Sequence, residues 1–229
     1  GAAVTLALSV WLFFLYDNQA GGFQFTTKLP WVPSLGIAYQ VGVDGISVAM
    51  VLLTAIVFVA GALVSCSVQS RVKDFYILLC ALVSGVFGVF ISLDLFFFYF
   101  FYELAVVPMY LLIGYWGSGD KEYATMKLTL YLTAGAVVAL IGLLLLYFSG
   151  LTPTPTFDLL ELKAAVEATG GLSFKSQQLL FPILLFGFAT IAPMWPLHSW
   201  SPGGHAAAPA AASVMHAGGL SKLGCCAPL

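Results

Sequence analysis

Apolar residues fill this chain in long unbroken runs, and polar residues gather in short stretches between them. About 20 apolar residues suffice to cross a bilayer as a helix, so the runs predict membrane spans. They cover residues 2–16, 44–65, 75–92, 94–116, 123–148, 179–198 and 205–223, the first short by a few residues for a full crossing. Residues 17–43 read as a loop, with Gly21, Gly22, Pro30, Pro33 and Gly36 as breakers. Asp44 opens the second run as a helix cap, its carboxylate placed to accept from free backbone N–H groups. Residues 149–178 turn to Thr, Pro, Glu, Lys and Gly, and Asp158 to Glu167 within them has the apolar spacing of a helix lying on the membrane surface.

Two runs are irregular. Residues 179–198 hold Pro182, Pro193 and Pro196, the mark of a proline-broken helix, which is tolerated at membrane depth only where protein or water takes up the freed backbone groups. Residues 205–223 hold Pro209, Gly218 and Gly219. The expected fold is all-α, a polytopic transmembrane helix bundle forming one membrane domain over residues 1–229.

Glu103 falls near the middle of the run at 94–116. An ionisable side chain at that depth costs on the order of 3 kcal/mol to insert, so it is expected to face the interior, a partner charge or water. That makes Glu103 the first functional candidate; the plainer alternative is that it ties neighbouring helices by hydrogen bonding. Pro108 follows it and can bend the helix beside the charge. Lys127 enters the next span about one turn from its start, where snorkelling to the headgroups and a buried role are both open.

Composition sharpens this picture. Of 229 residues 61% are hydrophobic and 8% charged, and the mean hydropathy is +1.00, against about 25% charged in soluble domains. A net charge of −2 and the lack of a basic stripe argue against nucleic acid. Gly1 stands where Met is usual and no secretory signal follows, so the chain is expected to begin part-way through a gene product. Cys66, Cys80, Cys225 and Cys226 form no CxxC pair and read as packing residues. Arg71, Lys73 and Lys121 lie in short turns, which places the turns at 66–74 and 117–122 on the cytoplasmic, matrix or stromal side.

No GxGxxG, Walker loop or metal-ligand cluster is visible. His205 and His216 are eleven residues apart, about three turns and some 16 Å on one face of a continuous helix, so they are not expected to ligate one haem; His198 with either stays open. What remains is a set of ionisable groups in an apolar bundle, namely Glu103, Lys127, Lys222 and the histidines including His216. Proton relays are built from such sets, because moving one charge shifts the pKa of the next.

Three stretches carry a resemblance: Pro30-Trp31-Val32-Pro33 through Val43-Asp44-Gly45-Ile46-Ser47, Val89 through Asp94 and Glu103 to Tyr110, and Pro193-Met194-Trp195-Pro196-Leu197-His198-Ser199-Trp200-Ser201-Pro202-Gly203-Gly204-His205. Over residues 1–224 the chain resembles the antiporter-like membrane subunit (chain M or chain 4 type) of proton-pumping NADH:quinone oxidoreductase, respiratory complex I. The resemblance implies that Glu103 is the family's proton-modulating glutamate, that Lys222 is its central-axis lysine, and that Lys127 stands where relatives also carry lysine. It also implies that the family's first helix and about six later helices are missing here.

On this resemblance the chain is expected to translocate protons in a complex I membrane arm and to hold no cofactor. FMN, iron–sulfur clusters and quinone would belong to partner subunits, and the neighbours would be sister antiporter-like subunits, other membrane-arm subunits and lipids. The implied location is the mitochondrial inner or bacterial cytoplasmic membrane, with the thylakoid less favoured. Three departures stand out: Ile191 replaces a lysine, Gly203 an aspartate, and Cys225-Cys226-Ala227-Pro228 a Tyr-Gly segment followed by arginine. They leave two alternatives, a cation/proton antiporter module outside complex I and a structural membrane-arm remnant without a working proton path, the latter favoured by Ile191.

Overall fold

A computed structural model describes residues 1–222. Its helices are α1 (Ala2–Leu15), α2 (Gly45–Val64), α3 (Val72–Ile91), α4 (Leu95–Trp116), α5 (Lys121–Tyr147), α6 (Leu159–Thr169), α7 (Phe174–Ile191), α8 (Ser201–Ala207) and α9 (Ala210–Met215). Among the described residues α2, α3, α4, α5 and α7 are long and apolar enough to cross a membrane; α1 is apolar but shorter.

Starts and stops follow from single side chains. Asp44 caps α2 by accepting from Ser47 N at 2.7 Å, and Ser173 caps α7 through Ser176 N. Pro108 leaves α4 unbroken from Leu95 to Trp116. Successive spans run up and down the bundle, and the closest pairs are α3 with α4 and α5 with α7. Small residues allow the approach: a Cβ at Gly187 would stand 2.7 Å from the Ala139 backbone nitrogen, and one at Gly85 2.9 Å from that of Ala105. The apolar core runs through all of these helices, with Leu79, Leu82, Met109, Leu112, Leu128, Leu132 and Trp200 among its buried members.

The two ends of the bundle differ. At one end, the turn end, Trp116 Nε1 donates to the Ser70 carbonyl at 2.8 Å, Arg71 lies 5.5 Å from the centre of the Tyr115 ring, and Ser118 N donates to the Ala207 carbonyl at 2.9 Å. Both basic turns are therefore at the same end. At the other end residues 17–43 are not a loop. Gln24–Val32 (β1) and Ile37–Val43 (β2) form an antiparallel hairpin, pairing Thr27 with Val41 and Leu29 with Tyr39. The prolines that suggested a loop are accommodated because Pro30 lies on a strand with a free edge and Pro33 starts the connecting turn. Gly36 closes that turn at φ +64°, where a Cβ would also meet the Pro155 carbonyl.

The run expected at 205–223 is likewise not one helix. His205 belongs to α8, the chain bends at Ala208 and Pro209, and α9 continues into a π-helical turn at His216–Leu220. Proline at 209 cannot donate the hydrogen bond that would carry α8 onward. Cys66 and Cys80 are exposed rather than packed in the core, and Cys225 and Cys226 lie outside the described residues.

Candidate functional site

The helix that carries Glu103 begins at a clasp. Asp94 Oδ1 accepts from Phe96 N at 2.9 Å and Phe97 N at 3.2 Å, and Asp94 Oδ2 accepts from Ala38 N of the hairpin at 3.0 Å. One side chain thus caps α4 and holds β2. Asp158 does the same for α6, accepting from Leu160 N at 2.8 Å and Glu161 N at 3.3 Å while receiving Lys28 Nζ of β1 at 2.6 Å. The two caps face each other across an antiparallel bridge, Leu95 N to the Phe157 carbonyl at 2.9 Å and Leu159 N to the Leu93 carbonyl at 3.0 Å. Lys28 also reaches Glu161 at 3.0 Å. Burial pushes the Asp94 carboxyl above its usual range against the pull of its three N–H donors. The hydrogen bond to Asp158 holds the Lys28 ammonium above 10.5.

Two turns further on, Glu103 is half-buried, not enclosed. Phe100, Leu104 and Val107 around it are exposed, so it stands on the lateral margin of the bundle. Tyr99 lies one turn earlier on the same helix. Tyr102, on the neighbouring flank, is buried and donates to the Leu132 carbonyl of α5 at 3.4 Å. Tyr102 therefore ties α4 to α5 beside the carboxylate.

The other sequence candidates are dispersed. Lys127 is half-buried, with its ammonium 5.8 Å from the centre of the Tyr123 ring one turn toward the end of the bundle, the geometry of a snorkelling stem. Lys222 is exposed at the last described position. No ion pair among the described residues joins Glu103 to either lysine.

The helix break gathers a second group. α7 ends at Ile191, which is 2% exposed in the apolar core, and the freed carbonyl of Thr190 accepts from Trp200 Nε1 at 3.0 Å. The His216 ring meets Trp200 edge-on at 5.1 Å between centres and His205 at 4.8 Å. Because the chain bends at Pro209, the two histidines touch instead of lying three turns apart, which leaves no room for a porphyrin between them. His198 is exposed. His205 Nδ1 lies 3.1 Å from Ser213 Oγ. A Cβ on Gly203 would meet nothing within 4 Å, so an aspartate there would find open space. Among the described residues no group of three or more His, Cys, Asp or Glu could hold a metal ion.

Sequence reasoning missed the clasp and the histidine contact. Asp94 and Asp158 each precede a helical run, the usual signature of a cap, but nothing local marks Lys28 or Ala38 as their partners.

Comparison with known proteins adds a family. Residues 92–228 match the family described as NADH:quinone oxidoreductase/Mrp antiporter, TM. The NADH-quinone oxidoreductase subunit M of Rhodobacter capsulatus is 37% identical over 229 residues, covering 96% of this chain and 44% of that protein. The F(420)H(2) dehydrogenase subunit M of Methanosarcina mazei is 34% identical over 218 residues, covering 94% and 44%. A chain of respiratory complex I from Thermus thermophilus superposes with a TM-score of 0.84 at 28% identity, over 97% of this chain and 45% of that one. The chain thus spans less than half the length of these relatives.

Proposed function

The chain belongs to the NADH:quinone oxidoreductase/Mrp antiporter transmembrane family, and from that premise we propose that it moves protons as a membrane-arm subunit of a complex I type quinone reductase. The observation that carries the proposal is Glu103, a carboxylate two turns into a membrane-spanning helix whose start is clasped to the hairpin and whose flank is tied to α5. A carboxylate is kept at such depth where a proton must be held and released. Glu103 is the principal proton carrier in this proposal, and Lys127, Lys222 and His216 are further stations. FMN, iron–sulfur clusters and quinone belong to partner subunits, and the lateral position of Glu103 suits transfer toward a neighbouring antiporter-like subunit.

Ile191 supports a second reading. It is buried in apolar surroundings where the resemblance places a lysine, and a chain relying on that lysine would brace the membrane arm without a proton path. A third reading, an antiporter module outside complex I, follows from the Mrp half of the family description. Affinity purification of the tagged chain from its native membrane separates them. The proposal expects flavin and iron–sulfur subunits to co-elute and electron-donor oxidation to acidify one side of sealed vesicles. Membrane subunits alone with sodium/proton exchange favour the third reading, and a redox complex without proton movement favours the second.

A further inference from the structure

At the turn end, a groove opens on the flank of the bundle between the last two turns of α4 and the first two of α5. Its volume is about 510 Å³, and Tyr110, Gly114, Tyr115, Glu122, Tyr123 and Met126 are among its walls. That size is usual for a small-molecule site, about 300–1,000 Å³. The floor is bare at Gly114, where a Cβ would meet only Thr125 Cγ2, at 3.9 Å. Tyr110 stands six residues before the end of α4, about 9 Å along the helix axis, so the groove spans the depth of lipid headgroups and the first acyl carbons. Tyrosines at that depth belong to the aromatic belt of a membrane interface. The groove also carries charges of both signs. Lys121 Nζ donates to the Tyr115 carbonyl at 3.2 Å, the Arg71 guanidinium stands 5.5 Å from the centre of the Tyr115 ring, and Lys127 Nζ is 5.8 Å from that of Tyr123. Glu122 puts a carboxylate on the wall itself. Among the described residues none of these four charged groups joins an ion pair.

We propose that this groove binds an ethanolamine phospholipid, whose headgroup carries both a phosphate and a primary ammonium. Charge complementarity selects that occupant. Arg71 and Lys121 flank Tyr115 from the ring and the backbone side, and both can donate charge-assisted hydrogen bonds to a phosphate. Glu122 accepts from the N–H groups of the ammonium, which the exposed ring face of Tyr123 also attracts. A choline headgroup has no N–H to give Glu122, and an anionic glycerol headgroup would set its phosphate against that carboxylate with no cation between. For the acyl chains there is an apolar track. Val107 of α4 and Leu130 of α5 are exposed and lie one turn deeper on the same helix faces as Tyr110 and Met126. The site needs only the membrane placement of the chain and does not depend on the proton-moving reading.

The test uses the assembled complex in nanodiscs that hold a trace of one photoreactive phospholipid, with an ethanolamine, choline or glycerol headgroup on the same diazirine-bearing acyl chain. The readout is crosslinking to residues 107–130 relative to the lateral flank of α7 at Phe181 and Phe186, which are also exposed. The ethanolamine probe is expected to label the groove in preference to both others. Glu122→Gln should lower its labelling by about two- to fivefold, the size of one exposed ion pair, to the level of the choline probe. Lys121→Gln and Arg71→Gln should lower labelling by the ethanolamine and choline probes alike, because both carry the phosphate. All three side chains lie at the bundle surface, so assembly is expected to be unchanged in these variants. Equal labelling by the three probes, insensitive to the variants, overturns the site and leaves bulk lipid contact. Preference for the glycerol probe overturns it in favour of an anionic lipid. Labelling at α7 with none in the groove overturns it in favour of a protein neighbour covering this face.

Discussion

Asp94 and Glu103 are two carboxylates of one helix, the first capping it and the second, in the proposal above, carrying protons. Asp94 spends both oxygens on backbone N–H groups and cannot be replaced without freeing three donors. Replacement by alanine is expected to destabilise the hairpin end by about 1–3 kcal/mol, seen as faster hydrogen exchange at residues 95–98 and 37–39 than in the unmodified chain. Lys28 gives a pH dependence whose sign is set by its raised pKa. The folded state binds this proton more tightly than the unfolded chain, so the stabilisation is complete below 10.5 and fades as pH rises through the folded value. Raising the pH past 10.5 should therefore loosen β1 from α6, read as increased proteolysis within residues 24–32, while Lys28→Met should remove most of that pH response. Asp94 runs the same way at the acid end: with its pKa raised, its contribution is complete below 3.8 and declines as pH rises.

Helices in this chain were legible because their apolar runs are long and their caps are local. Asp44 is an example, its bond to Ser47 spanning three residues. The hairpin was not legible, since Pro30, Pro33, Gly21, Gly22 and Gly36 between residues 17 and 43 read as breakers. Proline fits on a strand only where an edge is free, and a sequence does not say which strand is an edge. The histidine contact was hidden for a related reason: one proline at 209 turns a three-turn separation into ring contact. Helix packing offers its own test. With the backbone nitrogen of Ala139 2.7 Å from a Cβ at Gly187, Gly187→Leu should force α5 and α7 apart and cost about 1–3 kcal/mol, lowering the yield of folded protein in detergent. Gly203→Ala, with nothing within 4 Å, should leave that yield unchanged.

At the scale of the molecule, the chain is an integral membrane bundle with a hairpin and surface helix at one end and two basic turns at the other. If the turn end faces the cytoplasm, matrix or stroma, Cys66 beside it is exposed to that compartment. A membrane-impermeant maleimide should then label Cys66 in inverted vesicles and not in right-side-out ones, and the opposite pattern reverses the orientation. Glu103 and its helix were legible in one stretch of sequence and the family in three; the carboxylate's lateral position was not, because which flank of α4 the bundle covers depends on helices distant in sequence. The account turns on whether that carboxylate carries protons. The most direct measurement is the number of protons translocated per electron by the assembled complex in sealed vesicles, with Glu103 intact and as Glu103→Gln. A clear fall in that ratio at unchanged assembly is what the account predicts, and an equal ratio in both would contradict it.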